Sequence, residues 1–181
     1  MKRVIKTDNK SVANKVFLRK EATKHLQNLY VLDLFAGKNV LWSNIDNARY
    51  YGVELQTGKG ANLNADAKQA VLSLDLSQFN VIDCDSFGIP FGICRRIIKD
   101  DKIRSGTVIL YTAMTNVFTQ LPRVCVDELG IGHMYKLTRS LFNLNAITYF
   151  YDMLANLGIK EIKYYEVNDH YTKHYGYFVI P

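Results

Sequence analysis

Val31-Leu32-Asp33-Leu34-Phe35-Ala36-Gly37 is an apolar run of β-branched and aromatic character that carries one acid and stops at a glycine. From Tyr30 onward it reads as a buried strand that runs into a tight turn. Before it, residues 9–29 read as a helix. Asn9 or Ser11 can cap the start, and Val12, Val16 and Ala22 or Leu26 recur at near-helical spacing. Lys15, Arg19, Lys20 and Lys24 make that helix strongly basic. After the turn, Val40, Leu41 and Ile45 with Trp42 between them fit a short helix, and Tyr50-Tyr51-Gly52-Val53-Glu54-Leu55 fits a second strand. A loop over 56–60 and an extended piece at Ala61 to Asn64 lead to a helix from Ala67 to Leu76. Phe79 to Asp85 is another strand, and Ser86-Phe87-Gly88-Ile89-Pro90 is a turn because glycine and proline interrupt regular structure. A helix over Phe91 to Lys102 and a strand over Thr107 to Met114 follow.

Segment 115–136, with Pro122, Gly130 and Gly132, reads as an insertion or irregular stretch holding at most a short helix. A helix starting at Leu137 or Asn145 runs to Leu157, with Leu141, Leu144, Ile147, Tyr151 and Leu154 on one face and Gly158 placed as a C-terminal cap. Strands over Ile159 to Val167 and Tyr175 to Ile180 close the chain as a hairpin. Strand–helix alternation implies a mostly parallel sheet with helices on both faces, here with a C-terminal antiparallel hairpin. The expected class is therefore α/β in three layers. The chain of 181 residues contains no repeat and no linker rich in Pro, Gly or Ser, so residues 1–181 read as a single domain, with 1–29 as a basic N-terminal helix region.

An apolar fraction of 48% excludes a disordered chain. No apolar run approaches the ~20 residues that span a bilayer, so no membrane partner is expected. The basic N-terminus lacks the apolar stretch of a secretory signal. Cys84, Cys94 and Cys125 are scattered and odd in number, which suits a cytoplasmic setting and offers no metal-ligand spacing. A net charge of +6 points to an anionic partner, nucleic acid first among them.

In open parallel sheets, ligands bind outside the carboxyl ends of the strands, and here several strands end in acid. The first gives Asp33 before Phe35-Ala36-Gly37, the second Glu54 and Leu55, the fourth Asp83 and Asp85; Asn64, Asp66 and Ala67 follow the short third piece. A cofactor with an adenosine and an amino-acid end requires such a set. A glycine turn lets the backbone approach it. An acid at the end of the second strand can accept both ribose hydroxyls. An acid or amide after the third can hold the adenine amine, and an acid by the first can orient an ammonium. Each also has a plainer reading: Gly37 as a turn glycine, Glu54 as an ordinary strand-end carboxylate, Asp66 as a helix N-cap, Asp83 and Asp85 as a solvated turn.

Val31-Leu32-Asp33-Leu34-Phe35-Ala36-Gly37 resembles the first motif of class I S-adenosylmethionine-dependent methyltransferases, which have a Rossmann-like fold. Gly52-Val53-Glu54 resembles their ribose-binding motif, and Asn64-Ala65-Asp66-Ala67 their adenine-contact segment. Asn80 to Pro90, containing Asp83-Cys84-Asp85-Ser86-Phe87-Gly88-Ile89-Pro90, is similar to the catalytic Asp-Pro-Phe-Gly-x-Pro stretch of tRNA guanine exocyclic-amine methyltransferases. The resemblance covers residues 31–114. It implies S-adenosyl-L-methionine as cofactor, held by Asp33, Phe35, Ala36, Gly37, Asn39, Glu54, Leu55, Asn64, Asp66, Ala67 and Asp83. It implies methyl transfer to an exocyclic amine of an RNA or DNA base. Asp85 and a backbone carbonyl of Ser86 or Phe87 would accept the amine hydrogens, and Phe87 would stack on the base. Two positions depart from the pattern: Gly37-Lys38-Asn39 stands for the family's Gly-x-Gly, and Ser86 for its proline.

Other readings stay open at this level. Glu54 would suit the ribose of NAD in an oxidoreductase, although the Gly-x-Gly-x-x-Gly fingerprint is absent. A binding module that kept the fold without turnover accommodates Asn39 and Ser86, and a small molecule or protein could be the methyl acceptor. Phe87 could instead close the turn as a core residue. Arg95, Arg96, Lys99 and Lys102 could face phosphates or simply solvent. His170 and His174 could line a substrate mouth or lie at a hairpin tip. Cys84 is expected to be a buried strand residue.

Overall fold

The computed structural model describes residues 12–38, 41–115, 119–166 and 173–181. The β-branched and aliphatic runs form strands β1 (Leu29–Asp33), β2 (Ala48–Glu54), β3 (Leu63–Asn64), β4 (Val81–Cys84), β5 (Val108–Met114), β6 (Ile162–Glu166) and β7 (Lys173–Val179). They make one sheet in the order β3-β2-β1-β4-β5-β7-β6. The pairs among β1 to β5 are parallel, while β7 runs antiparallel to both β5 and β6. Chain direction across the sheet reverses between β1 and β4, which are hydrogen-bonded neighbours with Asp33 opposite Asp83. A ligand crevice opens at such a switch point in doubly wound sheets. The dinucleotide-binding order 3-2-1-4-5-6 has no reversed strand between its last two positions. The β7 insertion therefore separates this sheet from that fold.

The two faces are covered unequally. On one, α2 (Ala67–Ser73), α3 (Phe91–Ile98) and α7 (Ala146–Asn156) bury Leu32, Ile82, Ile97, Ile109, Phe150, Met153 and Leu154 in the larger core, with α4 (Arg123–Glu128) packed against α3 and α7. Among the described residues, the other face holds α1 (Val12–Thr23) and a one-turn 3-10 helix at Trp42–Asn44, over Leu29, Val31, Val81, Val108 and Leu110. Leu18 and Ala22 of α1 and the indole of Trp42 supply its apolar cover. The alternating placement of Asp33 with Val31, and of Asp83 with Val81, puts both acids on this thinner face.

Several boundaries differ from the sequence expectation. The N-terminal helix is described over Val12–Thr23, shorter than 9–29, with the candidate caps Asn9 and Ser11 outside the described residues. Of the helix expected around Val40 to Ile45, Val40 lies outside the described residues and the rest forms only a 3-10 turn, because Ser43, Asn44, Asp46 and Asn47 favour local turns and Asn47 takes a left-handed φ of 62°. Segment 115–136 is more regular than expected: it contains α4 and most of α5 (Gly132–Leu137). Non-helical residues at Thr138 and Asn145 then separate α5, α6 (Arg139–Leu144) and α7. These breaks turn Leu141 and Leu144 away from the face shared by Ile147 and Leu154, and both leucines are exposed. Among the described residues, no helix is long and apolar enough to cross a membrane.

Phe150 anchors the larger core. It is fully buried and meets Phe91 and Tyr111 edge-on at centroid distances of 5.5 and 5.3 Å. Phe150→Ala removes both contacts and leaves a cavity. It is expected to cost about 3–5 kcal/mol, measurable as a lowered urea midpoint with an unchanged slope.

Candidate active site

Asp33, Asp83 and Asp85 meet at the carboxyl ends of β1 and β4 on the face covered by α1. Asp83 is 1% exposed. Its Oδ2 accepts from Arg19 Nε at 2.8 Å and from Trp42 Nε1 at 2.7 Å, and lies 2.6 Å from Arg19 Nη2. Asp85 accepts both contacts of Lys15 Nζ, at 2.8 Å on Oδ1 and 2.6 Å on Oδ2, together with Thr112 Oγ1 at 2.5 Å, while Arg19 Nη2 stands 3.4 Å from its Oδ2. Asp33 Oδ1 accepts the amide of Phe35 at 3.0 Å and its Oδ2 accepts the Tyr50 hydroxyl at 3.3 Å. The Arg19 guanidinium is itself buried, lies 5.7 Å from the Trp42 ring centroid and donates to the Lys15 carbonyl.

Three carboxyls thus share two cations in a site nearly closed to water, and the imbalance falls on Asp33. Burial, then the neighbouring Asp83 carboxylate, push its pKa up to about 8. Asp85 is displaced the other way. Burial would raise it, but the Lys15 ammonium and Arg19 guanidinium together hold it below the usual carboxylate range. Burial and Asp33 also raise the Tyr50 phenol. Tyr50 reaches Asp33 by crossing Gly52, where a Cβ would stand 2.7 Å from the phenol oxygen and 2.9 Å from Ala36 Cβ.

Towards β2 the crevice has a different character. Glu54 is half-buried; its Oε2 accepts the amide of Gly37 at 3.0 Å and its Oε1 the amide of Gln56 at 3.0 Å. A carboxylate has about four acceptor positions, so each oxygen keeps one for a further donor. Gly37 adopts a positive φ of 52° that aims its amide at Glu54. The turn is pinned by Ala36 N to the Val53 carbonyl and Leu34 N to the Asp83 carbonyl, and Phe35 is half-buried beside it. Leu55 lies 69% exposed next to Glu54. Asn64 donates to the carbonyls of Glu54 and Gln56, which orders the loop between β2 and β3. Asp66 is the N-cap of α2, accepting from Lys68 N at 2.9 Å, and Ala67 is buried behind it. Asn39 lies outside the described residues, as does His170.

Beyond β4, Phe87 is 75% exposed, which rules out a role as a core residue closing the turn. With Ile89, Phe91, Met114, Gln120 and Pro122 it lines a cavity of about 330 Å³. The Ser86 hydroxyl is buried and has no hydrogen-bond partner among the described residues. Cys84 is buried as expected. Arg95 and Lys99 both pair with Glu128 of α4, so these two members of the basic run brace helices. His174 hydrogen-bonds Tyr151 at 2.7 Å and is half-buried, inside β7.

The sequence reading missed Lys15, Arg19, Trp42, Tyr50 and Thr112. Lys15, Leu18, Arg19 and Ala22 follow the i, i+3, i+4, i+7 pattern of one helix face. Two cations on the same stripe as two apolar residues was the available signal.

No protein-family model matches the chain, and no curated protein sequence resembles it significantly. Solved structures do resemble it in fold. Trm1 from Pyrococcus horikoshii, in complex with S-adenosyl-L-methionine, superposes with a TM-score of 0.58 at 12% identity over 93% of this chain and 54% of that one. A precorrin-6Y C5,15-methyltransferase from Geobacter metallireducens gives 0.54 at 13% identity over 99% and 92%. A possible exported protein from Bordetella parapertussis gives 0.59 at 11% over 93% and 67%. Together with the strand order, these matches establish a class I, Rossmann-like methyltransferase fold.

Two outcomes test the charge arrangement. Arg19→Met leaves Asp83 buried without its cation and is expected to cost about 3–5 kcal/mol; adding Asp83→Asn should recover part of that loss in chemical denaturation. The raised Asp33 pKa means the native state holds a proton that the unfolded chain releases above pH 4. Its stabilising effect is complete below that pH and is lost as pH rises towards about 8. The lowered Asp85 pKa acts oppositely, with stability lost as pH falls through its native value. Asp33→Asn should therefore be more stable than the parent at pH 8–9 and show a flatter melting-temperature profile between pH 5 and 9.

Proposed function

We propose that this protein is an S-adenosyl-L-methionine-dependent methyltransferase that acts on an amine, an exocyclic amine of a nucleic-acid base being the favoured substrate. The observation that carries the reading is the pair of carboxyl environments flanking the β1/β4 switch point: an accessible ribose-type acceptor at Glu54, and a fully charged acceptor at Asp85. The fold neighbours include one in complex with the same cofactor and one with its demethylated form, the N-terminal domain of EvdMO1 with SAH bound.

The residues present fit such a cofactor. Glu54 keeps free acceptor positions for two ribose hydroxyls, and the exposed Leu55 offers an apolar surface to adenine beside Asp66. The Gly37 turn, with Phe35 and Ala36, permits close backbone approach. Asp33 would receive the cofactor's ammonium in place of the weak 3.3 Å contact from Tyr50. Asp83 stays committed to Arg19 and Trp42 and holds the floor of the crevice. When bound, the cofactor supplies an electrophilic methyl group. Asp85 accepts hydrogen bonds from the attacking amine and orients its lone pair, with a backbone carbonyl of Ser86 or Phe87 as second acceptor. Phe87 offers a stacking surface at the mouth of the 330 Å³ cavity. Orientation of this kind is worth on the order of 7–11 kcal/mol in favourable cases. The basic net charge favours a nucleic-acid substrate.

A second reading draws on the Lys15–Asp85 pair. If that pair never opens, the chain is a binding module that takes up the cofactor without turnover.

Calorimetry and a labelled-methyl assay against tRNA, rRNA and DNA test both readings. Glu54→Ala should weaken cofactor binding by at least about tenfold, or 1.4 kcal/mol. Asp85→Asn should spare binding and abolish transfer. Because Asp33 is protonated below about 8, binding of the cationic cofactor at pH 7 should release a proton and tighten as pH rises towards 8. Buffers of different ionisation enthalpy report that release. Absence of cofactor binding at any pH would rule out the methyltransferase reading.

A further inference from the structure

Lys15 is an amine already seated where the substrate amine is proposed to sit. Its Nζ lies 2.8 and 2.6 Å from the two oxygens of Asp85, and 5.1 Å from the centroid of the buried Tyr175 ring. The two side chains are 13% and 12% exposed, so the pair is enclosed. Isolated surface ion pairs in helical proteins usually join exposed side chains close in sequence, as Lys24 does with Glu21. This pair spans 70 residues and binds the acid of the catalytic stretch through both oxygens. An anion flanked by an aromatic face is a receptor for an alkylammonium group. Asp85 lies two residues past Asp83, which pairs in register with Asp33 at the β1 tip where the cofactor's cationic end would lie.

We propose that Lys15 is an internal methyl acceptor: the chain methylates its own Lys15 Nζ, and in the unmodified protein this amine occupies the position an external amine must take. The inference rests on the methyltransferase reading above. The ammonium first loses a proton to solvent base, while Asp85 stays ionised and accepts a hydrogen bond from the free amine. The free amine then attacks the donor's methyl carbon; the Nζ–C bond forms as the S–C bond breaks, and the electron pair of that bond stays on sulfur. One donor is consumed for each methyl group, with S-adenosylhomocysteine and a proton as the other products. Since only an unprotonated amine carries the lone pair that attacks, the modification should quicken as pH rises from 7 to 9.

The purified chain is incubated with donor carrying a trideuteromethyl group, and modified lysines are mapped by peptide mass spectrometry. The label is expected on Lys15 at more than about tenfold the extent on exposed Lys20 or Lys24, as held neighbours react at very high effective concentration. It should vanish in Lys15→Arg, which keeps an ion pair with Asp85, and in Asp85→Asn. A second measurement needs no cofactor. Under an amine-reactive acetylating ester, Lys15 should react at least about tenfold more slowly than Lys20 in the parent chain. In Asp85→Asn that protection should be lost. Cofactor binding by calorimetry without label on Lys15, or label spread evenly over exposed lysines, overturns this inference alone. Failure of the cofactor to bind overturns the methyltransferase reading and this inference with it.

Discussion

Three carboxyl groups stand at adjacent strand ends on a sheet face that is otherwise apolar, and among the described residues two cations, Lys15 and Arg19, reach them. An uncompensated carboxylate in that setting costs several kcal/mol. The docking of α1 is therefore more than apolar packing. Leu18 and Ala22 bury modest side chains, but Arg19 and Lys15 bring the charge without which Asp83 and Asp85 could not remain ionised under cover. The remaining imbalance is met by protonation of Asp33. Stability of the thin face and the ionisation of the site are consequently one problem, solved by one helix.

The topology decides where that problem arises. Because the strand order reverses between β1 and β4, which run parallel, the links leaving their carboxyl ends diverge and a crevice is set between them. The period of two along each strand then sends Asp33, Glu54, Asp83, Asp85 and Thr112 to the same side. On that side the described part of the link from β1 to β2 supplies one helical turn, at Trp42–Asn44. The indole of Trp42 fills the space and donates to Asp83, while the Tyr50 ring closes over Gly52. A short connection has thus been offset by two aromatic side chains whose polar ends join the acidic cluster.

Much of this was legible in the sequence. Buried parallel strands are continuous apolar runs, so β1, β2, β4 and β5 stood out, and acids placed just past such runs had to gather at one edge of the sheet. The terminal hairpin was equally clear. What resisted was local competition and long-range pairing. Around Trp42, polar residues that bond their own backbone outweighed three apolar positions at helical spacing, and so few residues cannot recover the cost of nucleating a helix. At Asn145 the backbone turns, and the leucines at 141 and 144 lost their expected place in the core. The inward turn of Lys15 and Arg19 depends on partners 70 and 64 residues away. Charged side chains are rarely buried unless paired, so a basic helix with no visible partner reads as a solvated one.

Within this one cluster, two carboxyls of the same chemistry are driven to opposite protonation states by their surroundings. Such divergence is how a single fold assigns different roles to like groups. Asp85, facing Lys15 and Arg19, is kept as an anion and suits a permanent hydrogen-bond acceptor. Asp33, buried beside Asp83, is kept neutral below about pH 8. A cation placed next to a neutral buried carboxyl favours its ionised form, so uptake of a cation and loss of that proton are linked. Arg19 separates the two ends. By holding Asp83 it prevents that third carboxylate from serving either one, and the cluster keeps one side that is an anion and one that is neutral below about pH 8.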